Sequence, residues 1–177
     1  MQKKIISLSL FFILFLTVVS CKNEVLPKPA SHLSLEYPEA EYAHFENECP
    51  FTFDMNNNAV IKGQPGCNFT INYPKMKATI YISYKPVENN INVLLRDAQK
   101  LTYEHVIKAD DITEQPFINS DNKVYGMFYR VNGNAATNAQ FYVTDSTKHF
   151  IDCSVYFYAK PNFDSIMPAT NYIKNDM

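Results

Sequence analysis

Apolar and polar positions alternate through much of the chain, and the period of that alternation names the elements. Residues 31–37 alternate on Leu33 and Leu35 and predict a first strand, which Pro38 ends. Residues 39–48 are acidic and read as irregular. Over 49–55, Phe51, Phe53 and Met55 alternate with Thr52 and Asp54, a period of two that predicts a strand. Asn56-Asn57-Asn58 and Gln64-Pro65-Gly66 read as turns. Residues 67–73 alternate on Phe69, Ile71 and Tyr73, and residues 78–84 on Ile80, Ile82 and Tyr84. Tyr81 on the opposite side of that last strand suggests a central position covered on both faces.

At Ile91 the period changes to 3.6. Ile91, Leu94, Leu95, Ala98, Leu101, Thr102 and His105 fall on one stripe, which predicts a helix of roughly seventeen residues with Asn90 as its N-cap. Four strands follow, over 111–118, 123–131, 139–144 and 149–159. Pro116 assigns the first of them to an edge or a bulge. A last helix is predicted from an Asp164 cap, with Pro168 in its first turn and Ile166, Ala169, Thr170, Ile173 and Met177 as its apolar stripe. That stripe runs to the last residue, so the helix is expected to continue past it.

These elements imply an α+β fold, an antiparallel sheet with helices packed on its faces. The later strands are joined by turns too short for parallel crossovers and should form an antiparallel meander. The element order resembles the PsbP/Mog1 type of sandwich, an analogy of fold that carries no chemistry.

The N-terminus decides the compartment. Lys3 and Lys4 precede fifteen uncharged residues, Ile5 to Val19, then Ser20 and Cys21. A basic start, a short apolar run and a small residue read as a secretory signal. The run is shorter than the roughly 20 apolar residues of a spanning helix. Its end, Val18-Val19-Ser20-Cys21, resembles the bacterial lipobox, whose Cys is acylated and becomes the mature N-terminus. The expected organisation is a lipoprotein signal over 1–20, a lipid-anchored tether over 21–30 with Pro27 and Pro29, and one domain over 31–177.

Composition narrows the function. Without Lys3 and Lys4 the chain has 14 basic and 18 acidic residues, a balance that argues against nucleic acid. Twelve Tyr and thirteen Phe with no Trp suit a strand-rich domain. With Cys21 acylated, Cys49, Cys67 and Cys153 remain, and export into an oxidising compartment favours disulfides. The odd number leaves one free thiol or an intermolecular bond. Cys49 and Cys67 each begin a predicted strand and Cys153 lies on an apolar strand face, so a Cys49–Cys67 bond with Cys153 reduced is expected.

No GxSxG, Walker loop, dinucleotide fingerprint or HExxH occurs. His149 and Cys153 share a strand face, but two ligands do not make a metal site. Asp145-Ser146-Thr147-Lys148-His149 reads as a hairpin turn, because neighbours in a tight turn cannot form a triad. Asp110-Asp111 reads as a solvated turn, since adjacent strand side chains point to opposite faces. No metal, no cofactor and no catalytic residue are assigned. The tyrosines of the strand faces, Tyr125 with Tyr129 and Tyr156 with Tyr158, are the better surface candidates.

Several stretches together carry a family resemblance. They are Leu35-Glu36-Tyr37-Pro38, Cys49-Pro50-Phe51-Thr52-Phe53, Glu114-Gln115-Pro116-Phe117-Ile118, Gly133-Asn134-Ala135-Ala136, Gln140 through Phe150, and Tyr156-Phe157-Tyr158-Ala159-Lys160-Pro161. On these the chain resembles GldD, the gliding-motility lipoproteins of the Bacteroidota. The resemblance implies a non-enzymatic envelope protein that supports gliding and the linked type IX secretion machinery through protein contacts. It implies lipid anchoring through Cys21, with the periplasmic face of the outer membrane as the expected location and gliding or secretion proteins as partners. The connection Asn132, Gly133, Asn134, Ala135, Ala136, Thr137 and Asn138 is the expected contact, because it exceeds a tight hairpin and loops carry function. The other reading is a periplasmic enzyme or cell-wall-binding module, which would show a deep polar pocket with convergent titratable groups.

Overall fold

The computed structural model describes residues 37–63, 67–104, 108–158 and 162–177. Cys21, the signal, the tether, most of the expected first strand and His105 lie outside these residues. The protein is α+β, dominated by antiparallel sheet. Nine strands are described: β1 (Tyr42–Phe45), β2 (Phe53–Asn56), β3 (Val60–Gly63), β4 (Phe69–Tyr73), β5 (Ala78–Pro86), β6 (Ala109–Asn119), β7 (Val124–Gly133), β8 (Thr137–Thr144) and β9 (His149–Phe157). The helices are α1 (Ile91–Tyr103) and α2 (Phe163–Lys174). No described helix is long and apolar enough to cross a membrane.

Strands β1 and β2 pair as a separate hairpin, and the other seven form one antiparallel sheet in the order β3-β4-β5-β9-β8-β7-β6. β3 to β5 and β6 to β9 are each antiparallel meanders of consecutive strands. The α1 segment carries the chain from β5 to the far edge, and β9 returns to pair with β5 over its whole length. The core gathers Phe69 and Ile71 of β4, Ile80 and Ile82 of β5, Cys153 and Val155 of β9, and the fully buried Ile173 of α2. From α1, Thr102 donates to Gln140 Oε1 of β8 at 2.7 Å.

Several elements depart from the sequence expectation. The acidic stretch 39–48 contains β1, because Tyr42–Phe45 finds a partner in β2 at a register no local pattern reveals. β3 was not expected at all; four residues with one half-buried apolar side chain, Ile61, carry too little alternation to show. The expected strand over 49–55 narrows to β2, since Cys49 lies in the connection between β1 and β2 and is bonded there to Cys67. α1 has 13 residues, not seventeen. Asn90 is its boundary residue, but the side chain accepts from Glu88 N–H behind it rather than from the helix. α2 begins one residue before Asp164, after Asn162, and Pro168 falls in its second turn. There the proline removes one helical hydrogen bond near an exposed carbonyl at Asp164.

The Cys49–Cys67 disulfide has Cα atoms 5.6 Å apart and spans 18 residues, and Cys153 is free and buried. A loop of that length is worth about 3 kcal/mol by closure entropy. The bond ties the connection between β1 and β2 to the chain just before β4, and Phe45, Phe51 and Phe53 then pack on Phe69 with ring centroids 5.9 to 6.0 Å apart.

Candidate functional site

Strand pairing fixes what each sheet face presents. Ile82 pairs with Cys153, Cys153 with Phe141, Phe141 with Phe128, and Phe128 with Gln115. Paired residues share a face, so these five form one row across five strands. A second row holds Ile151, Val143, Gly126 and Phe117. At Gly126 a Cβ would stand 2.1 Å from Tyr142 O and 2.9 Å from Val143 Cγ1, so the close approach of β8 requires glycine in that row.

Above these rows lies a cleft of about 730 Å³. Its floor is the two rows, one wall is Phe51 and Phe53 ahead of and within β2, and the other is Lys174 to Met177 at the end of α2. The interior is apolar: beneath it β5, β9, β8 and β7 are flanked on both sides and keep their backbone groups in the sheet ladder, while β6 is the edge strand. Lys174 is the lone cation of the lining among the described residues; its Nζ lies 5.9 Å from the centre of the Phe128 ring. The thiol of Cys153 on the floor is pushed up by burial and then by Asp152.

One end of the cleft is closed by a polar clasp. Asp176 accepts from the Tyr42 hydroxyl on one oxygen and, on the other, from Tyr73 at 2.8 Å and Asn56 Nδ2 at 3.0 Å. The clasp joins β1, β2 and β4 to the segment after α2. The hydrogen bond to Asp176, with lesser burial, pushes Tyr42 up to about 12. Tyr73 is raised further, first by burial and then by the same carboxylate. Asp54, also on the lining, is 3.0 Å from His44 Nδ1.

The opposite face of the sheet carries tyrosines. Tyr81 and Tyr156 meet edge to face with centroids 5.5 Å apart. Tyr158 is 66% exposed and Tyr81 41%, so β5 is central in the sheet but not covered on this side, contrary to expectation. Their hydroxyls belong to a polar row. Tyr81 bonds to Tyr158, Tyr158 lies 3.2 Å from Thr79 Oγ1, Thr79 donates to Asn72 Oδ1 at 3.0 Å, and Asn72 donates to Thr70 at 2.9 Å. The hydrogen bonds from Thr79 and Tyr81, and nearby Lys62, lower the Tyr158 pKa.

The remaining predicted residues are placed as follows. Of the connection 132–138, Gly133 ends β7 and Thr137 and Asn138 begin β8, so only Asn134, Ala135 and Ala136 link the strands. Ala135, Thr137 and Asn138 are buried; Asn134 and Ala136 are exposed. Asn138 Nδ2 donates to the carbonyls of Val131 and Gly133 at 3.0 and 3.1 Å. Asn134 Oδ1 accepts from Phe163 N–H at 2.9 Å, the first residue of α2. Gly133 has φ +109 with Asp110 N 2.7 Å from where a Cβ would stand, so glycine is required there. His149 Nδ1 lies 3.0 Å from the Tyr84 hydroxyl. Among the described residues no group of three His, Cys, Asp or Glu side chains could hold a metal. The cleft escaped the sequence reading altogether; the one local trace was that Phe128, Phe141, Ile151 and Cys153 each sit on the apolar side of their strands.

A comparison with protein families matches residues 22–177 to the family described as gliding motility lipoprotein GldD. No curated protein and no solved structure matches the chain.

Proposed function

Because the chain belongs to the gliding-motility lipoprotein family GldD, we propose that it is a lipid-anchored adaptor, acylated at Cys21, that supports gliding and the linked type IX secretion machinery through protein contacts. The bond to the membrane is the lipid, and the working location is the periplasmic face of the outer membrane. Two or more acyl chains hold a protein firmly where one is marginal. α1 and α2 cover opposite faces in a PsbP/Mog1-like sandwich. That reading is supported by Thr102 of α1 meeting Gln140 on the tyrosine side and by Ile173 of α2 lying with Ile80 and Cys153 on the other.

The observation that carries the adaptor reading is the cluster of exposed Tyr81 and Tyr158 with half-buried Tyr156. Tyrosines bring large area at low entropy cost and are enriched at interfaces. Here the Tyr158 hydroxyl is held by Thr79 and by Tyr81, so less ordering of these two side chains remains for a partner to impose. The connection 132–138 is a second contact of smaller reach, narrowed to Asn134 and Ala136. The alternative of a periplasmic enzyme or cell-wall module has less support: the cleft described above is mostly apolar, and Asp54 and Asp176 of its lining are hydrogen-bonded to other groups rather than converging.

The test is a double variant, Tyr81→Ser with Tyr158→Ser, made in cells that carry the protein. The expected outcome is normal protein level and normal membrane anchoring with loss of gliding and secretion and of crosslinked partners. Normal gliding, secretion and crosslinking would reject the tyrosine face. Cys21→Ser in the same cells should abolish labelled-lipid incorporation and release the domain from membranes.

A further inference from the structure

The cleft has a different chemistry from the tyrosine face, and we propose that it binds the alkyl chain of a long-chain fatty acid, with the carboxylate on Lys174. Three features point to that occupant. The first is the floor. Ile82, Cys153, Phe141 and Phe128 follow one another on adjacent strands, and four strand spacings from Ile82 to Gln115 make a trough about 19 Å long. The shape suits one extended chain.

The second feature discriminates against a peptide. A polypeptide brings an N–H and a C=O at every residue, and each must find a partner when buried. Over most of its length the trough offers almost none, because β5, β9, β8 and β7 are flanked on both sides and spend their backbone groups on one another; β6, at the outer end, is the edge strand. Leaving such groups unpaired costs more than the side chains of a short segment return. An alkyl chain carries no polar group and loses nothing there.

The third is charge at the mouth. Lys174 makes no ion pair among the described residues, and its ammonium rests against the Phe128 ring. The two carboxylates of the lining are committed: Asp176 accepts three hydrogen bonds and Asp54 faces His44. A cation at one end of an apolar trough suits an amphiphile with an anionic head. The trough also continues outward to Phe117, 48% exposed. That apolar lip is an entry path that keeps a chain out of water. The proposal stands apart from the partner contact and does not require it.

The experiment uses the full, lipidated protein in phospholipid membranes and a diazirine-bearing palmitate. Adducts are mapped by peptide mass spectrometry and competed with unlabelled palmitate or hexadecanol. Saturable adducts on the peptides carrying Phe128, Phe141 or Ile151 are expected. Val143→Trp, which fills the trough, should cut them at least tenfold at unchanged circular dichroism. Lys174→Gln, at the surface end, keeps the test open if the tryptophan variant does not fold. It should weaken competition by palmitate about fivefold to tenfold and leave hexadecanol unaffected. The proposal is overturned if adducts are absent from the trough. The same holds if they are unsaturable and confined to Phe117 and Ile118, which would report bilayer contact alone. It is overturned too if labelling appears only in Cys21→Ser, which would make the protein's own lipid the occupant, or if Lys174→Gln treats acid and alcohol alike.

Discussion

Asp145 shows how much a single side chain can organise. Its Oδ1 accepts from the N–H groups of Thr147, Lys148 and His149 at 3.0, 2.8 and 2.8 Å, and this closes the β8–β9 turn. Burial works to raise its pKa, but the backbone donors of His149, Lys148 and Thr147 and the Thr147 hydroxyl outweigh it and hold the carboxyl well below its ordinary range. A depressed pKa gives stability that is complete above the unfolded value and is lost as pH falls through the folded one. Asp145→Ala should therefore destabilise the protein by about 1–2 kcal/mol at neutral pH. Asp145→Asn should keep part of the turn and flatten the acid limb of stability below pH about 4. Urea unfolding at several pH values checks both; an unchanged acid limb in Asp145→Asn would remove the carboxylate from the account.

At the scale of elements, the β7–β8 connection has an inward role larger than its outward one. Asn138 is buried and bonds two carbonyls of the preceding strand, while Asn134 reaches Phe163 at the start of α2. The connection thus sets the β7–β8 corner and the entry of the last helix together. Asn138→Ala removes two buried hydrogen bonds and should cost about 2–3 kcal/mol. Ala136→Lys, on an exposed position, should stay within about 0.5 kcal/mol. Ala135 is 1% exposed, so a lysine there would test folding and not contact. Thermal melts of the three variants separate these outcomes, and a large loss for Ala136→Lys would mean the corner is packed differently.

The whole molecule is closed by the clasp on Asp176, which draws the hairpin, β4 and the end of α2 together. Tyr42 is raised to about 12 by that contact, and Tyr73 is raised by burial and the same carboxylate. A raised tyrosine pKa gives stability that is present below the unfolded value of about 10 and is lost as pH climbs through the folded value. Between pH about 10 and 12 the protein should lose stability and the hairpin should loosen first. Tyr42→Phe should make that alkaline loss shallower. Hairpin fluorescence or hydrogen exchange against pH reads it, and an alkaline limb identical to the parent would show that the clasp does not titrate.

Along the chain, local physics reached far. Phe69 to Tyr73, Ala78 to Pro86 and β7 to β9 each bury side chains strongly enough for alternation to expose them, and Pro116 announced the β6 edge. The last helix was legible from Ile166, Ala169, Thr170 and Ile173, all of which are buried. The same local rules could not find β1 or β3, whose short runs gain their stability from partners elsewhere. Asn90 and Asp164 are cap residues by type, but their neighbours' backbone decided the actual boundaries. The pairing of β9 with β5 joins residues some seventy positions apart, and the features that need it were invisible beforehand: the Ile82-Cys153-Phe141-Phe128 trough and the Tyr81–Tyr156 contact. The clasp on Asp176 rests on equally distant contacts, from β1, β2 and β4 to the end of α2. Sequence periodicity tells which side of a strand is apolar. Only the order and register of the strands decide which apolar sides adjoin, because that choice is made by long-range packing and not by any residue's neighbours.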